Sequence, residues 1–262
     1  MRPVARSSTR DGIGKYSAKP QSAARFLAQH LVMKPYIWSA VSVHIHGERQ
    51  LEDLSAPFIA VANHSSHLDT TVIYGAFPRR LSRNLAAGAA ADYFFKEKLK
   101  SMGTRLFFNA YPVDRGGMRA HQGLSGKLLD DGVPLLIFPE GTRSRTGAMA
   151  KFKNGVAALS IQHHVPVVPI ALVGAYAAMP YGQSTPISGR PPVHIVFGTP
   201  QRALPGESAA RLTTRLYNKV VELHDTTARA YGMPTQADFH RSVALRDAAR
   251  RKERDAGNPP DA

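Results

Sequence analysis

From residue 41 onward two kinds of apolar pattern take turns along the chain. One kind is short and dense. VSVHIHG (41–47) alternates and is rich in β-branched side chains, as a strand does. PFIAVAN (57–63), VPLLIFPEG (133–141), VPVVPIALVG (165–174) and PVHIVFG (192–198) are apolar runs closed by Gly, Pro or polar residues. Such runs suit strands buried on both faces. Pro169 in the fourth run is expected at a bulge or a strand edge. The other kind is longer and spaced as a helix, over 67–77, 93–101, 118–131, 152–163 and 207–231. Gly132, just after Leu128, Leu129, Asp130 and Asp131, reads as a helix stop. Buried strands separated by helices predict an α/β fold, its sheet covered on both faces.

The ends of the chain differ from this core. Residues 1–22 form a basic arm without an apolar run, expected to be disordered and unlike a secretory signal. Residues 23–40 predict a helical segment in which Phe26, Leu27, Leu31, Met33, Ile37 and Trp38 recur near helical spacing. Arg25, Gln29, His30 and Lys34 interrupt it and Pro35 splits it, so it is too broken to span a bilayer. The only Trp lies beside Tyr36, a pairing that favours a membrane–water interface. An amphipathic helix on a membrane and a helix packed on the core are both open readings. The packed domain is expected over 41–231. Residues 232–262 read as a charged tail, a solvated helix fraying into a disordered end.

Composition narrows the function. The 262 residues include 34 Lys and Arg against 19 Asp and Glu, a net charge of +15. An acidic partner is expected, whether an anionic membrane surface, phosphorylated metabolites, an acidic carrier protein or nucleic acid. There is no cysteine, which excludes disulfide scaffolds, zinc–thiolate sites, iron–sulfur clusters and cysteine nucleophiles. No acidic residue lies between Glu140 and Glu207, whereas Arg143, Arg145, Lys151, Lys153, Arg190 and Arg202 do.

Two segments carry the chemistry. Asn63-His64-Ser65-Ser66-His67-Leu68-Asp69 follows a strand, where open α/β sheets bind ligands. His64 is the natural general base, and Asp69 stands where its carboxylate can fix the imidazole tautomer. No G-x-S-x-G occurs, so a His–Asp pair without an enzyme nucleophile points to activation of a substrate hydroxyl. Local helix capping by Asn63 and Ser65, or a metal held by His64, His67 and Asp69, are the alternatives. Phe138-Pro139-Glu140-Gly141-Thr142-Arg143-Ser144 ends another strand. Arg143 can grip a phosphate, Glu140 can bind substrate hydroxyls or orient Arg143, and Gly141 permits close backbone approach. A turn with a Glu–Arg surface pair is the plainer alternative. Arg115 in Tyr111-Pro112-Val113-Asp114-Arg115-Gly116-Gly117 is a weaker phosphate contact.

These blocks, with VPVVPI after them, stand in the order and approximate spacing of the four blocks of the glycerolipid acyltransferases of the PlsC, 1-acyl-glycerol-3-phosphate acyltransferase, type. The chain resembles that family over about residues 40–200. The resemblance implies a mixed, largely parallel sheet flanked by helices. It implies transfer of a fatty acyl group from acyl-CoA or acyl carrier protein to the hydroxyl of lysophosphatidate in phospholipid biosynthesis. Other acceptors are glycerol-3-phosphate, another lysophospholipid or a mannosylated glycolipid. By the same resemblance His64 and Asp69 are catalytic. Arg115 binds the acceptor phosphate, with Glu140, Gly141, Thr142, Arg143 and Lys153 completing the acceptor pocket. No metal or other cofactor is implied, and no nucleic acid is expected. The expected location is peripheral or monotopic, at the cytoplasmic face of a membrane.

Overall fold

A computed structural model describes residues 27–90, 109–113 and 123–257 of the chain. Among these residues seven strands form one sheet: β1 (Ser42–His46), β2 (Ile59–Ala62), β3 (Ala86–Ala90), β4 (Tyr111–Val113), β5 (Leu135–Ile137), β6 (Val167–Val173) and β7 (Pro192–Phe197). Their order is β1-β7-β6-β2-β5-β3-β4. Every neighbouring pair is parallel except β6 and β7. The sheet is therefore mixed and largely parallel, as expected.

All five strands expected from dense apolar runs are present. β3 and β4 were not legible, because AAGAA lacks β-branched side chains and YPV carries a proline. Pro169 sits at a bulge. The β6–β7 ladder ends at Ile170↔Phe197 and resumes at Val167↔Gln201, so two residues of β6 face three of the returning chain.

The helices among the described residues are α1 (Lys34–Ala40), α2 (Leu68–Ala76), α3 (Arg79–Ser82), α4 (Leu124–Asp130), α5 (Gly155–His163), α6 (Ala175–Ala178), α7 (Ala209–Ala230) and α8 (Gln236–Gly257). Gly132 does stop α4: it takes φ +77°, and the next N–H, on Val133, donates back to the Leu128 carbonyl at 2.9 Å. The helix expected at 93–101, and the start of the one expected at 118–131, lie outside the described residues.

The sheet is covered on both faces. Ala60, Ala62, Leu136, Val168, Ile170 and Leu172 face α1 and α2, with Phe58, Val72 and Ile73 in the same core. Ile59, Val61, Leu135, Val167 and Ala171 face the opposite core with Leu128, Val156, Leu212 and Leu216 from α4, α5 and α7. Alternation along each strand thus feeds two cores, which explains why the central strands β2, β5 and β6 are apolar at every position.

Residues 28–33 form a wide helical turn that leads into α1. One side of this unit is seated on α2. The Trp38 ring lies over Gly75, where a Cβ would come within 2.4 Å of it, and the Lys34 ammonium donates to the Gly75 carbonyl at 2.8 Å. The other side is open: Leu27, Leu31, Val32 and Tyr36 are 53, 69, 61 and 58% exposed. No described helix is long and apolar enough to cross a membrane.

Candidate active site

The site forms at the carboxyl ends of β2 and β5, which pair in parallel with Ile59↔Leu135 and Val61↔Ile137 in register. Each strand runs directly into one motif, so His64 and Glu140 are brought side by side although they are far apart in sequence.

Asn63 extends the β2–β6 ladder by one step with its side chain. Its amide donates to the Leu172 carbonyl at 3.0 Å and accepts from the Leu172 N–H at 2.8 Å. The strand can therefore end at Ala62 without leaving Leu172 unpaired. The chain then turns into α2. Ser66 Oγ accepts the Leu68 N–H at 3.2 Å and donates to the Met179 carbonyl at 3.0 Å, which anchors the turn.

Asp69, on the first turn of α2, is fully buried. Its Oδ2 accepts from Ser65 N–H at 2.7 Å and Ser66 N–H at 2.8 Å, and lies 2.8 Å from His64 Nδ1. An oxygen bound by two amides can only accept from the ring, so Nδ1 carries hydrogen and Nε2 presents its lone pair. Nε2 has no hydrogen-bond partner among the described residues. The imidazole stacks on Phe138, centroid to centroid 4.0 Å and 18° apart. Phe138 thus covers one face of the ring and holds its orientation. Capping of α2 by Asn63 and Ser65 is not realised: the Asn63 side chain bonds Leu172, Ser65 contributes its backbone N–H to Asp69, and His67 at the N-cap makes no side-chain cap bond.

Glu140 reaches across to the first motif. Oε1 accepts the His64 N–H at 2.6 Å and Oε2 accepts the Ala150 N–H at 2.8 Å. Both oxygens are taken by backbone, and Glu140 forms no ion pair with Arg143. Burial pushes its carboxyl up to about 7, against the two N–H donors, which act the other way. A second link closes the junction, where Ser144 N–H donates to the His64 carbonyl at 2.7 Å.

Gly141 adopts φ +79°, and a Cβ there would stand 2.8 Å from Lys153 Nζ. The ammonium therefore lies over bare backbone, which the expected close approach requires. Thr142 is exposed. Arg143 and Arg145 both lie over the Tyr181 ring, at 4.9 and 5.1 Å from its centroid, and neither meets a carboxylate among the described residues. Burial, then the neighbouring Arg143 and His64, lower the pKa of His67, while Asp69 acts the other way. Among the described residues, no group of three or more His, Cys, Asp or Glu is placed to hold a metal ion. Arg115 lies outside the described residues. Phe138 as ring support and Tyr181 as a platform for two guanidiniums had no signal in the sequence, since an aromatic residue in a loop does not say what it stacks on.

A cavity of about 520 Å³ opens beside this junction. Val113, Ile137, Phe138, Val156 and Leu159 give it apolar walls, and Gly141 with Lys153 forms part of its rim.

A family model described as acyltransferase matches residues 42–173, just over half the chain. A 1-acyl-sn-glycerol-3-phosphate acyltransferase of Chlamydomonas reinhardtii is 34% identical over 171 residues, 62% of this chain and 48% of that protein. The chloroplastic 1-acyl-sn-glycerol-3-phosphate acyltransferase LPAT1 of Arabidopsis thaliana is 28% identical over 209 residues, 75% of this chain and 54% of that protein. The chain spans about half the length of the curated relatives it matches. The crystal structure of the 1-acyl-sn-glycerophosphate acyltransferase PlsC of Thermotoga maritima superposes with a TM-score of 0.58 at 24% identity, covering 83% of this chain and 82% of that one. That likeness is one of fold. Taken with the family match across both motifs, it means that the chain belongs to the acyltransferase family.

Proposed function

We propose that the protein transfers a fatty acyl group from an acyl thioester, acyl-CoA or acyl carrier protein, to the free hydroxyl of lysophosphatidate. The observation that carries this reading is the state of His64: Nδ1 is committed to buried Asp69, and Nε2 is left with a lone pair and no partner among the described residues. Nε2 takes the proton of the acceptor hydroxyl as its oxygen attacks the thioester carbonyl. The C–S bond then breaks, and the imidazolium returns the proton to the departing thiolate. Asp69 stabilises the cation between these steps. No enzyme nucleophile and no cofactor beyond the thioester enters the scheme.

Arg143, Arg145 and Lys153 offer cations to an acceptor phosphate, and Arg115 is assigned to it by resemblance. The apolar cavity beside Phe138 suits an acyl chain. The open side of residues 27–36 suits contact with an anionic membrane surface, peripheral or monotopic at its cytoplasmic face. The net charge of +15 is met by these acidic partners without nucleic acid.

The test is thiol release from palmitoyl-CoA by the solubilised protein, with and without lysophosphatidate, in wild type and His64→Ala. Acceptor-dependent release that disappears in the variant is expected. Release that ignores the acceptor, or that survives in His64→Ala, overturns the reading.

A further inference from the structure

The loop that follows the Glu140 motif is not held by the motif alone. It is pinned from outside by the beginning of α8. The α7–α8 connection is short, and Thr235 opens α8 with a reciprocal cap: Thr235 N–H and Oγ donate to Asp238 Oδ2 at 3.0 and 2.6 Å, and Asp238 N–H donates to Thr235 Oγ at 3.3 Å. The cap directs the next residue, Gln236, inward, where it is 3% exposed.

Every polar atom of Gln236 nearest the core is used. Its backbone N–H donates to Asp225 Oδ1 at 2.8 Å. Its side-chain Oε1 accepts the Met149 N–H at 2.7 Å, and Nε2 lies 3.2 Å from His224 Nε2. His224 Nδ1 in turn lies 2.9 Å from Asp225 Oδ1. Only one proton pattern satisfies all of these contacts. The Met149 amide is a donor, so oxygen must face it. The Gln236 amino group must then donate to His224 Nε2, and the His224 Nδ1–H must donate to Asp225. Phe239 adds packing one turn on. Its ring fills the space above Gly147, where a Cβ would come within 2.5 Å, and it meets Tyr176 edge-on at 5.8 Å.

The residue after Met149 is Ala150, whose N–H donates to Glu140 Oε2. The other oxygen of Glu140 accepts the N–H of His64. Two consecutive amides of one loop are therefore fixed by two buried side chains, one from α8 and one from the site. We propose that Gln236 is a positioning residue for His64, acting through the Met149–Ala150 backbone and Glu140. It lies beyond residue 173, where the family match ends. The inference rests on the reading of His64 as general base.

Three variants test it: Gln236→Met, Gln236→Asn and Gln236→Glu. The first has no acceptor for Met149, and the second keeps the amide one methylene short. The third keeps an oxygen on Met149 and sets a carboxylate against His224, which can bind a proton to match. With thioester donor and lysophosphatidate, Met and Asn are expected to lower kcat about 10- to 100-fold while both KM values stay within about twofold. Glu is expected to return most of the loss. Amide hydrogen exchange over 144–150 should quicken in Met and Asn, with strand β6 unchanged.

Gly47→Ala, remote from the site, serves as a variant of lowered stability that retains turnover. Wild-type kcat in Met and Asn, or a loss no larger than in Gly47→Ala at equal Tm, overturns the inference. So does unchanged exchange over 144–150. His64→Ala is assayed beside them. Activity there defeats the general-base reading itself, whereas an inactive His64→Ala with fully active Gln236 variants defeats only the role of Gln236.

Discussion

Asp69 meets His64 through one oxygen only: Oδ2 gathers the imidazole and two backbone amides, while Oδ1 is buried with no partner among the described residues. This asymmetry makes Asp69→Asn informative. The new side chain must keep its oxygen on Ser65 and Ser66, which puts an amino group where no acceptor stands. The ring keeps its position and loses the charge behind it. We expect kcat to fall on the order of 10²–10⁴-fold with a smaller change in acceptor KM, measured by thiol release. Turnover near wild type would mean that the carboxylate serves only the turn.

Asn63 substitutes for a strand residue, so its loss should register as stability. Asn63→Ala removes two hydrogen bonds and strands the buried N–H and carbonyl of Leu172. The expected cost is about 2–5 kcal/mol in urea unfolding. A loss below about 0.5 kcal/mol would show that water or a shifted backbone replaces the side chain without penalty.

Glu140 links stability to pH in an unusual direction. Its carboxyl is pushed up to about 7, above its ordinary value near 4.5, chiefly by burial. A raised folded value means that the neutral form favours the fold. That contribution is complete below about pH 4.5 and is lost as pH rises through about 7. The urea midpoint of wild type relative to Glu140→Gln should therefore decrease from pH 5 to pH 8. A difference that grows with pH would show that the two N–H donors outweigh burial.

His194 works in the opposite sense. It is 1% exposed, its Nδ1 lies 3.0 Å from His46 Nε2, and it stacks on His44 at 4.7 Å. Burial, then the neighbouring His44 and His46, lower its pKa to about 4. A lowered histidine contributes stability that is present above about pH 6.5 and lost as pH falls through about 4. Thermal scans should show Tm falling through that window in wild type and a flatter profile in His194→Phe. Parallel profiles would place the acid sensitivity elsewhere.

The remote control also makes a prediction of its own. Gly47 takes φ +75°, and a Cβ there would stand 2.2 Å from the Phe197 carbonyl oxygen. Gly47→Ala should cost about 1–3 kcal/mol by strain and by displacing β7. An unchanged Tm would mean that this turn relaxes freely.

Legibility in the sequence depended on how much a linear pattern can carry. The strands with branched apolar side chains announced themselves because burial on both faces requires them. AAGAA did not, since its small side chains leave room for neighbours and so record the neighbours' size rather than their own state. His64, Asp69, Glu140 and Gly141 were legible because strand ends in α/β sheets converge. The grip of Glu140 on the His64 backbone was not, because the type of a carboxylate does not tell whether it receives a ligand or an amide. Gln236 was invisible for a simpler reason: a lone glutamine in a polar stretch looks solvated until a fold closes over it.

The place of β7 has a consequence for synthesis. β1 touches the sheet only through β7, which begins roughly 150 residues later in the chain. At about 5–20 residues per second, the ribosome releases Ser42–His46 roughly 8–30 s before its partner exists. During that interval the segment is a bare strand edge, and the register it will adopt is written in residues not yet made.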